Sequence, residues 1–255
     1  IGHWDSSYIH YVIIVFMILA GTNFSLLYFA ITGKFKKVFA NTELKFYLSL
    51  ILGSALLIGA GLWYFMDFPI AMAIKDSLFQ VVSIMTTTGY ITNDYFLWQP
   101  VSLWIILVLL MFVGGSSGST GGGIKVVRIH ILIRNSLVEF KRLIHPHAVL
   151  PVRYNKTVLH TVTINNVLAF VILYIILVGA GTVILAFTGL DFESSFGAVV
   201  TSIGNCGPGI GSVGPAFSFA HLTDFGKWLL SFMMLLGRLE LFTVMIIFTR
   251  AFWMK

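Results

Sequence analysis

The sequence predicts an all-α membrane protein assembled from repeated units, each a spanning helix, a short helix that enters the bilayer and turns back, and a second spanning helix. Three observations carry this expectation. Of the 255 residues 58% are hydrophobic and 10% charged, whereas a water-soluble chain carries roughly a quarter charged residues. The apolar residues are grouped in runs of bilayer length. Two stretches of the chain also repeat one another at a fixed offset.

The apolar runs cover residues 8–31, 44–65, 101–113 with its sequel, 158–187 and 222–253. Each is read as a pass of the bilayer, five in all, so lipid is the first expected partner. Sixteen Lys and Arg against ten Asp and Glu give a net charge of +6, and their placement favours a membrane over nucleic acid. Lys34, Lys36, Lys37 and Lys45 lie at one set of connections with Arg128, Arg134, Lys141, Arg142, Arg153 and Lys156, and Arg250 and Lys255 close the chain. The positive-inside rule assigns these to the cytoplasmic side. Opposite connections carry Asp67, Asp76, Asp94, Asp191, Glu193 and Asp224, with Lys75 and Lys227 as the bases, so the outer side is acidic and attracts cations.

The repeat lays Asp76-Ser-Leu-Phe-Gln-Val-Val-Ser-Ile-Met-Thr-Thr-Thr-Gly89 over Ser194-Ser-Phe-Gly-Ala-Val-Val-Thr-Ser-Ile-Gly-Asn-Cys-Gly207 without a gap, an offset of 118 residues from Gly89 to Gly207. The same offset carries residues 44–65 onto 162–183 and 101–113 onto 219–231. Met17-Ile-Leu-Ala-Gly21 resembles Met111-Phe-Val-Gly-Gly115, so the opening segment reads as the last helix of an earlier copy. The expected units are 1–43, the end of an incomplete repeat, then 44–156 and 157–255, each with its own loop.

Residues 76–85 form a helix of about 15 Å, half the ~30 Å hydrocarbon core, which enters the membrane without crossing it. Asp76 with Ser77, and Asp191 with Ser194, suit its start at the outer surface. The backbone must then return outward, and non-helical backbone at that depth survives only where protein buries it or water lines it. Thr86-Thr-Thr-Gly89 and Gly204-Asn-Cys-Gly207 are those returns. Small, polar and glycine-bearing, they can offer carbonyl oxygens to a dehydrated cation, as in potassium-channel filters where four loops surround one axis. Gly89 and Gly207 are expected at backbone angles that a Cβ hinders.

Between Gly114 and Gly123 six of ten residues are glycine, at about 1 kcal/mol each relative to alanine, so a continuous helix there is not expected. Such a break serves a moving or cavity-lining segment, or else close helix packing through small residues. Arg238 falls on Thr120 at the repeat offset. Facing a pore, it hinders a passing cation; tied to carbonyls or to an acid on another helix, it is structural. Glu240, two positions on, occupies a different helix face and is a poor local partner. Lys125 either pairs with an acid across the pore or snorkels to the inner surface.

Four motifs in order, Thr86-Thr-Thr-Gly-Tyr90, Gly114-Gly-Ser-Ser-Gly-Ser-Thr-Gly-Gly-Gly-Ile-Lys125, Gly204-Asn-Cys-Gly-Pro-Gly209 and Leu236-Gly-Arg-Leu-Glu-Leu-Phe-Thr243, resemble the third and fourth repeats of the Trk, Ktr and HKT superfamily of cation transporters. The last two are closer to the bacterial Trk potassium-uptake membrane subunit, of which this sequence resembles the carboxyl-terminal half. The resemblance implies potassium as the ion, held by backbone oxygens of Thr87, Thr88, Asn205 and Cys206, with Gly89 and Gly207 as the filter glycines. It also implies a gate under the filter made of Gly114, Gly115, Gly118, Gly121, Gly122, Gly123, Lys125 and Arg238. Further implications are four repeats around one pore, a homodimer in the bacterial inner membrane, and a cytosolic nucleotide-binding ring as regulator, for which residues 128–156 are a candidate landing site. A first repeat and a second filter are missing from the pattern, so the remainder belongs to a longer form of this chain or to another chain. The alternatives are a sodium-permeable or sodium/potassium symporting relative, or a non-conducting scaffold.

No enzyme is expected. His3, His10, His130, His145, His147, His160 and His221 show no metal spacing, no Ser, His and Asp cluster suggests a nucleophile, and Gly-Gly-Gly-Ile-Lys125 lacks the hydroxyl residue of a phosphate loop. Cys206, the single cysteine, leaves no internal disulfide and reads as a small buried side chain whose carbonyl is the functional atom. No organic cofactor is expected on this chain. Residues 1–7 lack the features of a secretory signal, so the chain is expected to begin within a longer protein.

Overall fold

The computed structural model describes residues 1–4, 6–98, 102–155 and 157–254; Val101, Lys156 and Lys255, used in the span and charge assignments above, lie outside the described residues. Among the described residues the helices are α1 (Ser7–Ala20), α2 (Phe24–Ile31), α3 (Phe35–Ala40), α4 (Thr42–Met66), α5 (Ile70–Met85), α6 (Trp104–Met111), α7 (Val126–Ile144), α8 (Thr161–Ala186), α9 (Phe192–Gly204), α10 (Asp224–Arg238), α11 (Leu241–Ile247) and α12 (Arg250–Trp253). An antiparallel hairpin, β1 (Arg153–Tyr154) with β2 (Thr157–Val158), lies between α7 and α8.

Two helices, α4 and α8, are long and apolar enough to cross a membrane unbroken. Their 25 and 26 residues measure about 38 Å, more than the ~30 Å core. Asn41 caps α4 by accepting the Leu44 N–H at 3.0 Å. One face of each carries exposed Leu52, Leu56, Ile172 and Ile176, a surface suited to lipid; the other buries Tyr47, Ile58, Phe170 and Tyr174. That inner face packs on the short helices, α4 on α5 and α8 on α9. The short helices are the centre of the core, with Phe79, Val82, Met85, Val199 and Ile203 fully buried.

Three expectations are corrected. The helix expected to start at Asp76 starts at Ile70 and has 16 residues, about 24 Å. Pro69, at φ −53°, leads into Ala71, Met72 and Ala73, which favour helix. Asp76 is instead buried in the second turn, where it accepts the Asn93 Nδ2–H at 2.6 Å. The start of the other short helix is as expected: Asp191 caps α9 by accepting the Ser194 N–H at 2.9 Å. That bond lowers the Asp191 carboxyl below its ordinary pKa. The cap therefore contributes fully above the ordinary carboxylate value and is lost as pH falls through the lowered one.

The run at 8–31 is not one pass. It turns by 109° between α1 and α2, where Asn23 caps α2 by accepting the Ser25 N–H at 2.8 Å. The run at 222–253 turns by 116° between α10 and α11, with Glu240 held at φ +63°. The middle run is interrupted between α6 and α7, as its glycines predict. Of five expected passes, two are continuous helices and three are broken.

Arg128, the first of the basic stretch, is held by its neighbours. Its guanidinium stacks 3.7 Å from the Phe170 ring centroid and its Nη2 lies 3.1 Å from Glu240 Oε2. A small core of Ile131, Val152, Ile164 and Val167 joins α7, the segment before β1, and α8.

Candidate functional site

The two returning loops are built alike. The Thr87 N–H donates to Ile84 O at 3.0 Å and the Thr88 N–H to Ser83 O at 2.9 Å; 118 residues on, Asn205 N–H donates to Ser202 O and Cys206 N–H to Thr201 O, each at 3.0 Å. Thr87 and Asn205 are left-handed at φ +57° and +56°, and Gly89 and Gly207 at +77° and +105°. Each loop thus alternates the hand of its backbone while its N–H groups turn back onto the helix end. From the described residues no hydrogen bond reaches the carbonyls of Thr87, Thr88, Asn205 or Cys206. Backbone carbonyls at such depth ordinarily have a partner. Among the described residues these four have none.

The loops meet. A Cβ on Gly89 would stand 2.1 Å from Cys206 O, and one on Gly207 would stand 3.9 Å from Gly89 Cα. The Cys206 sulfur is buried, 3.5 Å from Ile84 O, so its side chain is part of the packing. Supports come from both units: Tyr95 Oη, fully buried in the preceding unit, donates to Gly209 O at 2.6 Å, and within the last unit Asn205 Nδ2 donates to Met234 O at 3.0 Å.

Beneath them lies the glycine-rich segment. Its two ends are pinned together, Gly114 N–H to Ile124 O at 2.9 Å and Ile124 N–H to Phe112 O at 3.1 Å, so residues 114–123 hang as a loop. Gly122 N–H donates to Thr87 Oγ1 at 3.1 Å, and a Cβ on Gly122 would come 2.5 Å from Gly204 O. The segment therefore presses against both returning loops. On its other side Ser116 N–H donates to Gly21 O at 2.9 Å and Gly118 O accepts the Phe24 N–H at 3.3 Å, which docks it on the break between α1 and α2.

A cavity of about 330 Å³ opens below, lined by Thr120, Lys125, Arg128, Phe170, Arg238 and Glu240 among others. Arg238 donates to the carbonyl of Thr120, the residue it overlies at the repeat offset. Lys125 meets neither expectation, since its ammonium donates to the Gly121 carbonyl of its own loop. Glu240 pairs with Arg128 and not with Arg238.

Sequence reasoning overlooked three contributors. Tyr95 offers no local signal, because its partner is 114 residues away. Glu43 reads as an acid complementing a helix N-terminus, yet it is 3% exposed and bonded to the glycine-rich loop. Asn23 is a helix-capping residue whose type, placed ahead of an apolar stretch, was a legible sign of the first break.

Comparison with known proteins identifies the family. The sequence matches the family described as "TrkH: Cation transport protein" over residues 1–254. The Trk system potassium uptake protein TrkH of Salmonella typhimurium is 34% identical over 255 residues, covering 99% of this chain and 52% of the relative. That of Vibrio parahaemolyticus is 36% identical over 259 residues, again 99% and 52%. The crystal structure of the potassium transporter TrkH from Vibrio parahaemolyticus superposes with a TM-score of 0.91 at 33% identity, covering 100% of this chain and 55% of that one. The chain spans about half the length of these relatives. By fold and by sequence, this chain belongs to the TrkH family of cation transport proteins.

Proposed function

We propose that the chain forms half of a potassium-uptake pore of the bacterial inner membrane, its carboxyl-terminal half, with units at 44–156 and 157–255 following the end of another at 1–43. The observation that carries this reading is the pair of matched turns whose N–H groups are spent and whose carbonyls at Thr87, Thr88, Asn205 and Cys206 are free. Potassium sheds water onto such oxygens. The membrane potential supplies about 2.3 kcal/mol per charge at 100 mV, and tenfold accumulation needs about 1.4 kcal/mol. The segment 114–123, with Lys125 and Arg238, is the gate. Assembly with a second copy and control by a cytosolic nucleotide-binding ring complete the proposal.

Uptake of radioactive rubidium by the full-length transporter in potassium-loaded proteoliposomes tests it. Uptake that external potassium suppresses and sodium does not is expected; equal suppression by sodium, or no uptake, refutes the reading. Within it Tyr95 holds one loop in place. Tyr95→Phe leaves the Gly209 carbonyl without its donor, at about 1 kcal/mol. The expected result is a severalfold loss of potassium preference over sodium with the protein still folded; an unaltered competition curve would remove Tyr95 from the filter's support.

A further inference from the structure

The loop at 114–123 is held on several sides, and one of its ties differs in kind. Gly21, Phe24, Thr87 and Arg238 hold it through backbone groups, a hydroxyl or an exposed guanidinium. Ser117 N–H instead donates to Glu43 Oε1 at 2.5 Å, and Glu43 is 3% exposed. A buried carboxylate accepting an N–H makes a stronger bond than a neutral acceptor does. Its second oxygen accepts the Tyr154 Oη–H at 3.2 Å. Tyr154 belongs to β1, and the same hairpin turn grips the start of α4, with Asn155 Oδ1 accepting the Thr42 N–H at 2.9 Å and the Thr42 hydroxyl at 2.8 Å. Asn155 is left-handed at φ +46°, which aims its side chain back at the helix end.

We propose that Glu43 is a positioning residue of the gate, holding the intramembrane loop closed and linking it through Tyr154 to the hairpin on the basic face. Whatever displaces the hairpin withdraws the Tyr154 hydroxyl and loosens the carboxylate that restrains Ser117. This inference rests on the reading of 114–123 as a gate. The chain of contacts runs hairpin, carboxylate, loop, and each link is a single hydrogen bond.

Rubidium flux through the full-length transporter without its regulator provides the test, with four variants. Glu43→Ala removes both bonds and is expected to raise flux roughly tenfold. Glu43→Gln keeps an acceptor for Ser117 N–H without the charge and is expected to raise flux by about threefold, well short of the alanine change, a partial rescue that a mere loss of packing would not show. Tyr154→Phe frees only the hairpin side and is expected to raise flux by about threefold. It keeps the test sound where Glu43→Ala does not assemble. In a variant with residues 117–121 deleted, flux is high and Glu43→Ala adds nothing. Fast flux in the deletion variant with parental flux in both Glu43→Ala and Tyr154→Phe overturns the role of Glu43 alone. Parental flux in the deletion variant overturns the gate, and this inference with it.

Discussion

Gly89→Ala in the full-length transporter is expected to lower the preference for potassium over sodium by at least about tenfold. Two independent costs converge on that position. At φ +77° an L side chain is strained, by about 1 to 2 kcal/mol. The added carbon would also stand 2.1 Å from Cys206 O and 3.3 Å from Pro208 Cδ, and the first of these is backbone that cannot turn aside. Relief requires the two loops to part, and a change of a few tenths of an ångström in carbonyl spacing alters how well a given ion is solvated. Gly53→Ala is the control, since nothing lies within 4 Å of the new carbon, and it is expected to behave as the parent. Sodium competition against rubidium uptake measures both; undiminished discrimination in Gly89→Ala would remove the loops from the selectivity mechanism.

The second large effect is expected at Arg238. A guanidinium about 6 Å from a passing cation repels it by roughly 3 kcal/mol at an effective dielectric near 20. The same group fastens α10 to the glycine-rich loop by its bond to Thr120 O, and with Glu240 committed to Arg128 its charge is not cancelled locally. Arg238→Ala therefore removes a barrier and a latch together, and flux is expected to rise at least tenfold. Arg238→Gln retains a donor for the carbonyl without the charge, and an intermediate rise is expected. Equal or lower flux in Arg238→Ala would make the arginine structural. The contrast between Ala and Gln apportions the effect between electrostatics and the latch.

Much of this architecture was legible because duplication writes the same signal twice. The loops at 86–89 and 204–207 were recognisable from one offset, and the interruption before α7 from the density of glycine, since both are local properties of the chain. The turn at Glu240 was not: the nearest glycine, Gly237, falls inside α10, and the bend itself is made at a glutamate, a residue that seldom takes φ +63°. Thr87 was equally hidden, because a β-branched residue disfavours φ +57° and only the Gly122 N–H donated to its hydroxyl shows what holds it there. The early start of α5 followed from good helix formers after Pro69, which outweighed the capping chemistry of Asp76. Glu43 and Tyr95 lay beyond local reading altogether, since their partners are 74 and 114 residues distant.

Arg238 and Thr120 occupy corresponding places in two copies of one unit, and they touch. Had the copies remained identical, that meeting point would have set like against like: two arginines, repelling each other in a poorly hydrated space, or two threonines, too short to fasten anything. The clasp joins a guanidinium of one unit to a main-chain carbonyl of the other, so the difference between the two units at this position is itself a working part of the contact.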